Sequence, residues 1–124
     1  MGNKILVADD DEEIRGALSR ILADYDLVSA EDGKTALKLA ASEKPAVVLL
    51  DVAMPGLDGL QVLRKLREMR HAPAVIMITG DSSEETVKKA LSTGVFSYII
   101  KPVEKDQVRE QVRRAFQFLE ESGE

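Results

Sequence analysis

Asp9 with Asp10, Asp51, Thr79 and Lys101 share one property in the primary structure: each stands directly after a short apolar run. Clustered carboxylates need a positive partner, because two like charges ~4 Å apart at an effective dielectric near ~20 repel by about 4 kcal/mol. The chain has no Cys and a single His, so the donors on offer are oxygens, and oxygens select hard cations. Mg²⁺, or Mn²⁺ in its place, takes one or two carboxylates and keeps water and phosphate oxygens as its other ligands. A cation beside Asp51 would attract phosphate dianions, Lys101 would add a fixed positive charge, and Thr79 a hydroxyl donor. These residue types suit transfer of a phosphoryl group to a carboxylate, since an Asp side chain serves as a nucleophile.

Such a site needs elements that bring distant positions to one edge. The apolar runs Ile5-Leu6-Val7-Ala8, Leu27-Val28, Val47-Val48-Leu49-Leu50, Val75-Ile76-Met77-Ile78 and Tyr98-Ile99-Ile100 have strand length and little alternation, as strands covered on both faces do. Between them lie stripes at helical spacing: Ile14, Leu18, Ile21 and Leu22; Leu60, Leu63 and Leu66; and Val108, Val112, Ala115, Phe116 and Leu119. Segments 34–41 and 83–93 carry weaker stripes, the second closed by Gly94. Strand and helix alternate throughout, which predicts an α/β fold with parallel strands, right-handed crossovers and helices on both faces. In an open parallel sheet, ligands bind beyond the carboxyl ends of the strands, where the five candidate residues fall. Residues 120–124 are polar and are expected to fray.

The 124 residues suit one domain, here taken as 1–124, and leave no room for a second core. Hydrophobic residues at 44% and charged residues at 31% match a globular chain rather than a disordered or membrane one. The missing cysteines exclude disulfides, thiolate zinc sites and cysteine nucleophiles. A formal charge of −5 argues against coating nucleic acid or anionic membrane. The acid excess sits in residues 1–62, with 12 acids against 6 bases, whereas 63–124 hold 10 against 11. No signal-peptide pattern or membrane-length apolar stretch is seen, so a cytoplasmic protein is expected.

Each candidate also has an ordinary reading. Asp9 to Glu13 could merely favour a helix amino terminus, Asp51 could open a turn toward Pro55-Gly56, and Thr79 and Lys101 could be a turn hydroxyl and a solvated amine. Their joint placement at equivalent strand ends favours the site.

The stretches ILVADDDEEIR at 5–15, VVLLDVAMPGLDG at 47–59, VIMITGDS at 75–82 and FSYIIKPVE at 96–104 together resemble a response-regulator receiver domain of two-component signalling, the CheY-like family. The resemblance spans about residues 4–119. It implies a doubly wound, flavodoxin-like (βα)5 sheet with strand order 2-1-3-4-5. It further implies Asp51 as phosphoacceptor, with Asp10, Asp51 and the backbone carbonyl of Ala53 on Mg²⁺ and Asp9 acting through water. Thr79 would hydrogen-bond the phosphoryl group, Lys101 would pair with it, the bond before Pro102 would be cis, and Tyr98 would be the aromatic switch.

Phosphorylation adds roughly −2 charge; Thr79 drawn inward would let Tyr98 turn in and reshape the surface of the fourth helix, fifth strand and fifth helix. The resemblance implies a sensor histidine kinase or phosphotransfer protein as donor, and a target or output domain, or a homodimer, on that surface. Such a chain catalyses only its own modification and is not an enzyme acting on other substrates. Alternatives are a Mg²⁺-dependent aspartyl-phosphate phosphatase or phosphotransferase of the haloacid-dehalogenase kind, which needs an Asp where Ala53 stands, and a receiver-like scaffold without phosphorylation. Ala53 and Asp81 are expected to tune the lifetime of the phosphorylated state, with Asp81 alternatively capping the next helix. His71 is read as a surface residue, and Arg109, Arg113 and Arg114 as a basic face open to contacts.

Overall fold

The computed structural model describes residues 3–54 and 56–122. Five strands form one parallel sheet in the order β2-β1-β3-β4-β5: β1 (Lys4–Ala8), β2 (Asp26–Ala30), β3 (Val47–Asp51), β4 (Ala74–Thr79) and β5 (Ser97–Ile100). The helices α1 (Glu12–Ile21), α2 (Gly33–Glu43), α3 (Gly59–Arg67), α4 (Glu84–Thr93) and α5 (Lys105–Glu121) alternate with them. The parallel strands and two-sided helices are those expected from the alternation, and the strand order is that of the doubly wound, flavodoxin-like sheet implied by the resemblance. Every residue of β3 and β4 is buried, whereas the edge strands β2 and β5 are only partly covered. That difference explains why β2 shows just Leu27-Val28 as an apolar run.

Successive side chains on a strand point to opposite faces, and the sheet accordingly carries two cores. Leu6, Val48, Leu50, Val75 and Met77 face Ala36 and Ala40 of α2, Val62, Leu63 and Leu66 of α3 and Ala90 of α4. Ile5, Val7, Leu49, Ile76 and Ile78 face Leu18, Leu22 and three residues of α5, namely Val108, Val112 and Ala115. Each such aliphatic side chain contributes about 1.5–3 kcal/mol of burial. Within α4, Ala90 alone is buried, so that helix has the lightest hold on its face of the sheet.

Side chains at the helix starts account for the boundaries. Asp11, Asp32 and Ser83 accept from the backbone N–H of Glu13, Thr35 and Thr86, and Asp58 forms a capping box with Gln61. A cap of this kind is worth about 1 kcal/mol. Gly94 closes α4 in the left-handed conformation at φ 108°, as its position predicted. The expected fraying from Glu120 is corrected: α5 runs through Glu121, with Gln117 Nε2 donating to Glu121 Oε2 at 3.3 Å. Pro55, in the turn anticipated after Asp51, lies outside the described residues, as do Gly123 and Glu124.

Candidate functional site

Asp51 ends β3 and is 4% exposed. Its Oδ1 accepts from the Ala53 N–H at 3.2 Å, while Oδ2 lies 3.4 Å from Lys101 Nζ. The turn carrying it is braced by Gly59, whose N–H donates to the Val52 carbonyl at 2.7 Å. A Cβ on Gly59 would fall 2.3 Å from the Asp51 carbonyl oxygen and 2.5 Å from Val52 Cα. Only glycine permits that approach, and through it α3 supports the backbone of Asp51.

Asp9 follows β1 and is 2% exposed. Its Oδ1 accepts from the Asp11 N–H at 2.9 Å, and its backbone carbonyl accepts from Arg15 Nη1 at 2.7 Å. Its Oδ2 is 3.3 Å from Lys101 Nζ but has no hydrogen-bond partner of acceptable geometry. Asp10 is exposed beside it. One carboxylate oxygen from each of Asp9, Asp10 and Asp51 lies within 4.8 Å of the other two. Three acids, an orphaned buried oxygen and no nitrogen or sulfur ligand fit a small, hard divalent cation.

Burial, and then the charge of Asp9, push the Asp51 carboxyl above its ordinary range against the opposing effects of the Ala53 N–H and Lys101. Burial alone would lower Lys101, yet the charges of Asp51 and Asp9, with the hydrogen bond to Asp51, outweigh it and hold the ammonium above its usual pKa. Among the described side chains, positive charge is thus short at Asp51, and the Lys101 ammonium holds its proton more firmly than a free lysine.

Thr79 ends β4, buried at the same edge, and its Oγ1 accepts from the Asp81 N–H at 3.0 Å. The carbonyl of Asp81 in turn accepts from the Tyr98 hydroxyl at 3.0 Å. Tyr98 packs against the core beneath α2, α3 and α4, so its ring already lies on the α4 side. Lys101 is anchored by its N–H to the Thr79 carbonyl at 2.8 Å, and the Lys101–Pro102 peptide bond is cis.

A shallow pocket is lined by Asp10, Asp51, Ala53, Thr79, Asp81 and Lys101 among others, so the candidates from four strand ends meet in one place. The Asp81 side chain faces the other way: Oδ1 accepts from the Ser83 N–H at 2.9 Å and Oδ2 from the Thr86 hydroxyl at 2.8 Å. Those donors hold its carboxyl below the usual range. It therefore supports the amino end of α4, although the capping residue itself is Ser83. His71 is exposed in a groove with Lys4, Pro73 and Leu119 near the amino ends of β1 and β4. Arg109 is paired with Asp24, and Arg113 and Arg114 with Glu110, exposed pairs worth little. Sequence reasoning missed the structural parts of Arg15 and Thr86; a base one turn into the helix after an acid pair would have been the signal for Arg15.

Among the described residues, no helix is long and apolar enough to cross a membrane. Residues 5–113 match the sequence model of the response regulator receiver domain. The regulatory protein AtoC of Escherichia coli is 38% identical over 93% of this chain, which covers 25% of that protein. The chain spans from a quarter to about half the length of the curated relatives it matches. A CheY-like receiver domain from Methanospirillum hungatei superposes with a TM-score of 0.94 at 28% identity, covering 99% of this chain and 100% of that one. The CheY of a CheX-CheY-BeF3-Mg²⁺ complex from Borrelia burgdorferi gives 0.86 at 28% identity, over 91% and 88% of the two chains. On its sequence match and on its fold, the chain belongs to the response-regulator receiver domain family.

Proposed function

We propose that this receiver domain accepts a phosphoryl group on Asp51 and passes the event to a partner through α4, β5 and α5. The observation that carries the reading is the pair of buried carboxylates, Asp9 and Asp51, gripped by one ammonium, Lys101 Nζ, at 3.3 and 3.4 Å. Mg²⁺, or Mn²⁺, would be held by Asp10, Asp51 and the Ala53 carbonyl, with Asp9 acting through water; when bound it neutralises charge on the carboxylates and on phosphoryl oxygens.

In the transfer, an Asp51 carboxylate oxygen forms a bond to phosphorus while the bond from phosphorus to the donor breaks, its electron pair leaving with the donor. A phosphohistidine of a histidine kinase or phosphotransfer protein is the donor we favour. Thr79 uses its oxygen to accept from Asp81, which leaves its O–H proton free for a phosphoryl oxygen. Lys101 follows the charge from carboxylate to phosphoryl group. Movement of Thr79 pulls on the Asp81 peptide, whose carbonyl holds Tyr98, and this alters the lightly held α4. Leu91, Ile100 and Phe118, the exposed large apolar side chains on α4, β5 and α5, give a target, an output domain or a second copy an apolar footing. Direct contact with nucleic acid or membrane plays no part in this cytoplasmic reading, and no separate substrate is turned over. A haloacid-dehalogenase type of hydrolase is disfavoured by Ala53, and a silent scaffold by retention of all five polar residues.

Fluoroberyllate with Mg²⁺ tests the reading as a phosphoryl mimic. It should shift the Tyr98 and β5 resonances of the wild type and leave Asp51→Asn unchanged. Equal responses in the two proteins would refute it.

A further inference from the structure

Asp81 lies on the wall of the pocket that contains Asp51, yet its carboxylate is tied back. The tie has a defined direction of donation. A carboxylate only accepts, so the Thr86 hydroxyl must donate to Asp81 Oδ2, at 2.8 Å. The Thr86 oxygen is then free to accept from the Ser83 hydroxyl at 3.0 Å, and the Ser83 oxygen accepts from the Thr86 N–H at 3.3 Å. The Thr86 hydroxyl is thereby fixed by its own helix cap, and its only proton is spent on Asp81. The Ser83 N–H holds just one of the two carboxylate oxygens. An exposed Asp with a single remaining tether samples other rotamers, including those aimed at the pocket.

We infer that Thr86 is a positioning residue that prolongs the phosphorylated state by holding the Asp81 carboxylate at the amino end of α4, away from the water that attacks the acyl phosphate. The inference rests on Asp51 being the phosphoacceptor. In the hydrolysis, the water oxygen bonds to phosphorus. The bond between phosphorus and the Asp51 oxygen breaks, with its electron pair returning to Asp51. The water proton passes to a base, leaving inorganic phosphate. A freed Asp81 would be that base. A well-placed base speeds such a step by about 10²- to 10⁴-fold; a mobile, exposed one should realise about three- to tenfold.

The test phosphorylates the full chain with acetyl phosphate and Mg²⁺, removes the donor, and follows loss of the phosphoryl group by intact mass. Thr86→Val should lose it about three to ten times faster than wild type. Thr86→Ser keeps the hydroxyl and should decay like wild type, and Asp81→Asn added to Thr86→Val should restore the slow rate. A structural disturbance of α4 would not be repaired by changing Asp81. The inference is overturned if Thr86→Val decays no faster than wild type, if Thr86→Ser decays as fast as Thr86→Val, or if the double variant stays fast. Wild type that takes up no phosphoryl group overturns the acceptor reading as well, which separates the two failures.

Discussion

The Tyr98 hydroxyl donates to the main-chain carbonyl of Asp81 at 3.0 Å, and the N–H of that same residue donates to Thr79 Oγ1 at 3.0 Å. One residue of the β4–α4 connection thus joins the pocket to the far side of β5. Tyr98→Phe removes the outer link alone, at a cost of about 0.5–1.5 kcal/mol in urea unfolding. Uptake of phosphoryl from acetyl phosphate should stay within about twofold of wild type, while the fluoroberyllate-induced shifts in β5 and α4 should be lost. Undiminished shifts in the variant would show that the signal bypasses Tyr98.

Asp51 contributes a pH dependence of definite sign. Its carboxyl is raised in the folded state by burial and then by Asp9, so between the ordinary and the raised value the folded chain binds more protons than the unfolded one. Stability then falls as pH rises through that window, and at neutral pH the charged Asp51 is a standing cost. In metal-free buffer Asp51→Asn should melt a few degrees above wild type at pH 7, with the gap closing toward pH 4. Mg²⁺ should raise the wild-type melting temperature and raise that of Asp51→Asn by less. A gap that widens as pH falls would contradict this account of the pocket.

Lys101 is the one cation within ion-pair distance of Asp9 and Asp51 among the described residues. Breaking a buried ion pair on one side costs about 3–5 kcal/mol, and partial solvent access at Lys101 reduces that. Lys101→Met should therefore lose about 1–3 kcal/mol of unfolding free energy without metal, and Mg²⁺ should stabilise it more than it stabilises wild type. Calorimetry with and without Mg²⁺ reads both effects. An equal metal increment in the two proteins would mean that Lys101 does not stand in for the cation.

Gly59→Ala places a methyl group 2.3 Å from the Asp51 carbonyl oxygen. The neighbour is backbone at the buried end of a central strand and has little room to yield. A loss of about 3 kcal/mol or more is expected, together with weakened Mg²⁺ binding from a displaced Asp51. Gly80→Ala is the control, because its added Cβ meets no atom within 4 Å. Urea midpoints of the two variants compare them; similar midpoints would sink the claim that α3 braces the Asp51 turn.

The fold could be read in the sequence because three of the strands are covered on both faces. Val47 to Leu50 and Val75 to Ile78 are unbroken apolar runs, and whatever polar residue follows such a run must stand at the sheet edge. That rule located Asp51 and Thr79, and the shorter apolar run of the edge strand β5 located Lys101. It could not say where exposed side chains turn. Asp81 has the same one-dimensional context whether it faces the pocket or α4, and hydrogen bonds from Ser83 and Thr86 decide between them. The fit of Gly59 against Asp51 was likewise hidden, since close approach of two backbones leaves no periodic signature. The end of α5 was misjudged for a related reason: polar residues at 120–121 continue a helix whose buried stripe had already paid for its nucleation.

Intact mass after incubation with acetyl phosphate and Mg²⁺ tests the central claim most directly. The account predicts that the wild type gains the mass of one phosphoryl group, that chelating the metal prevents the gain, and that Asp51→Asn gains nothing. A wild type that stays unmodified, or an Asp51→Asn variant that is modified as fully as the wild type, would contradict it.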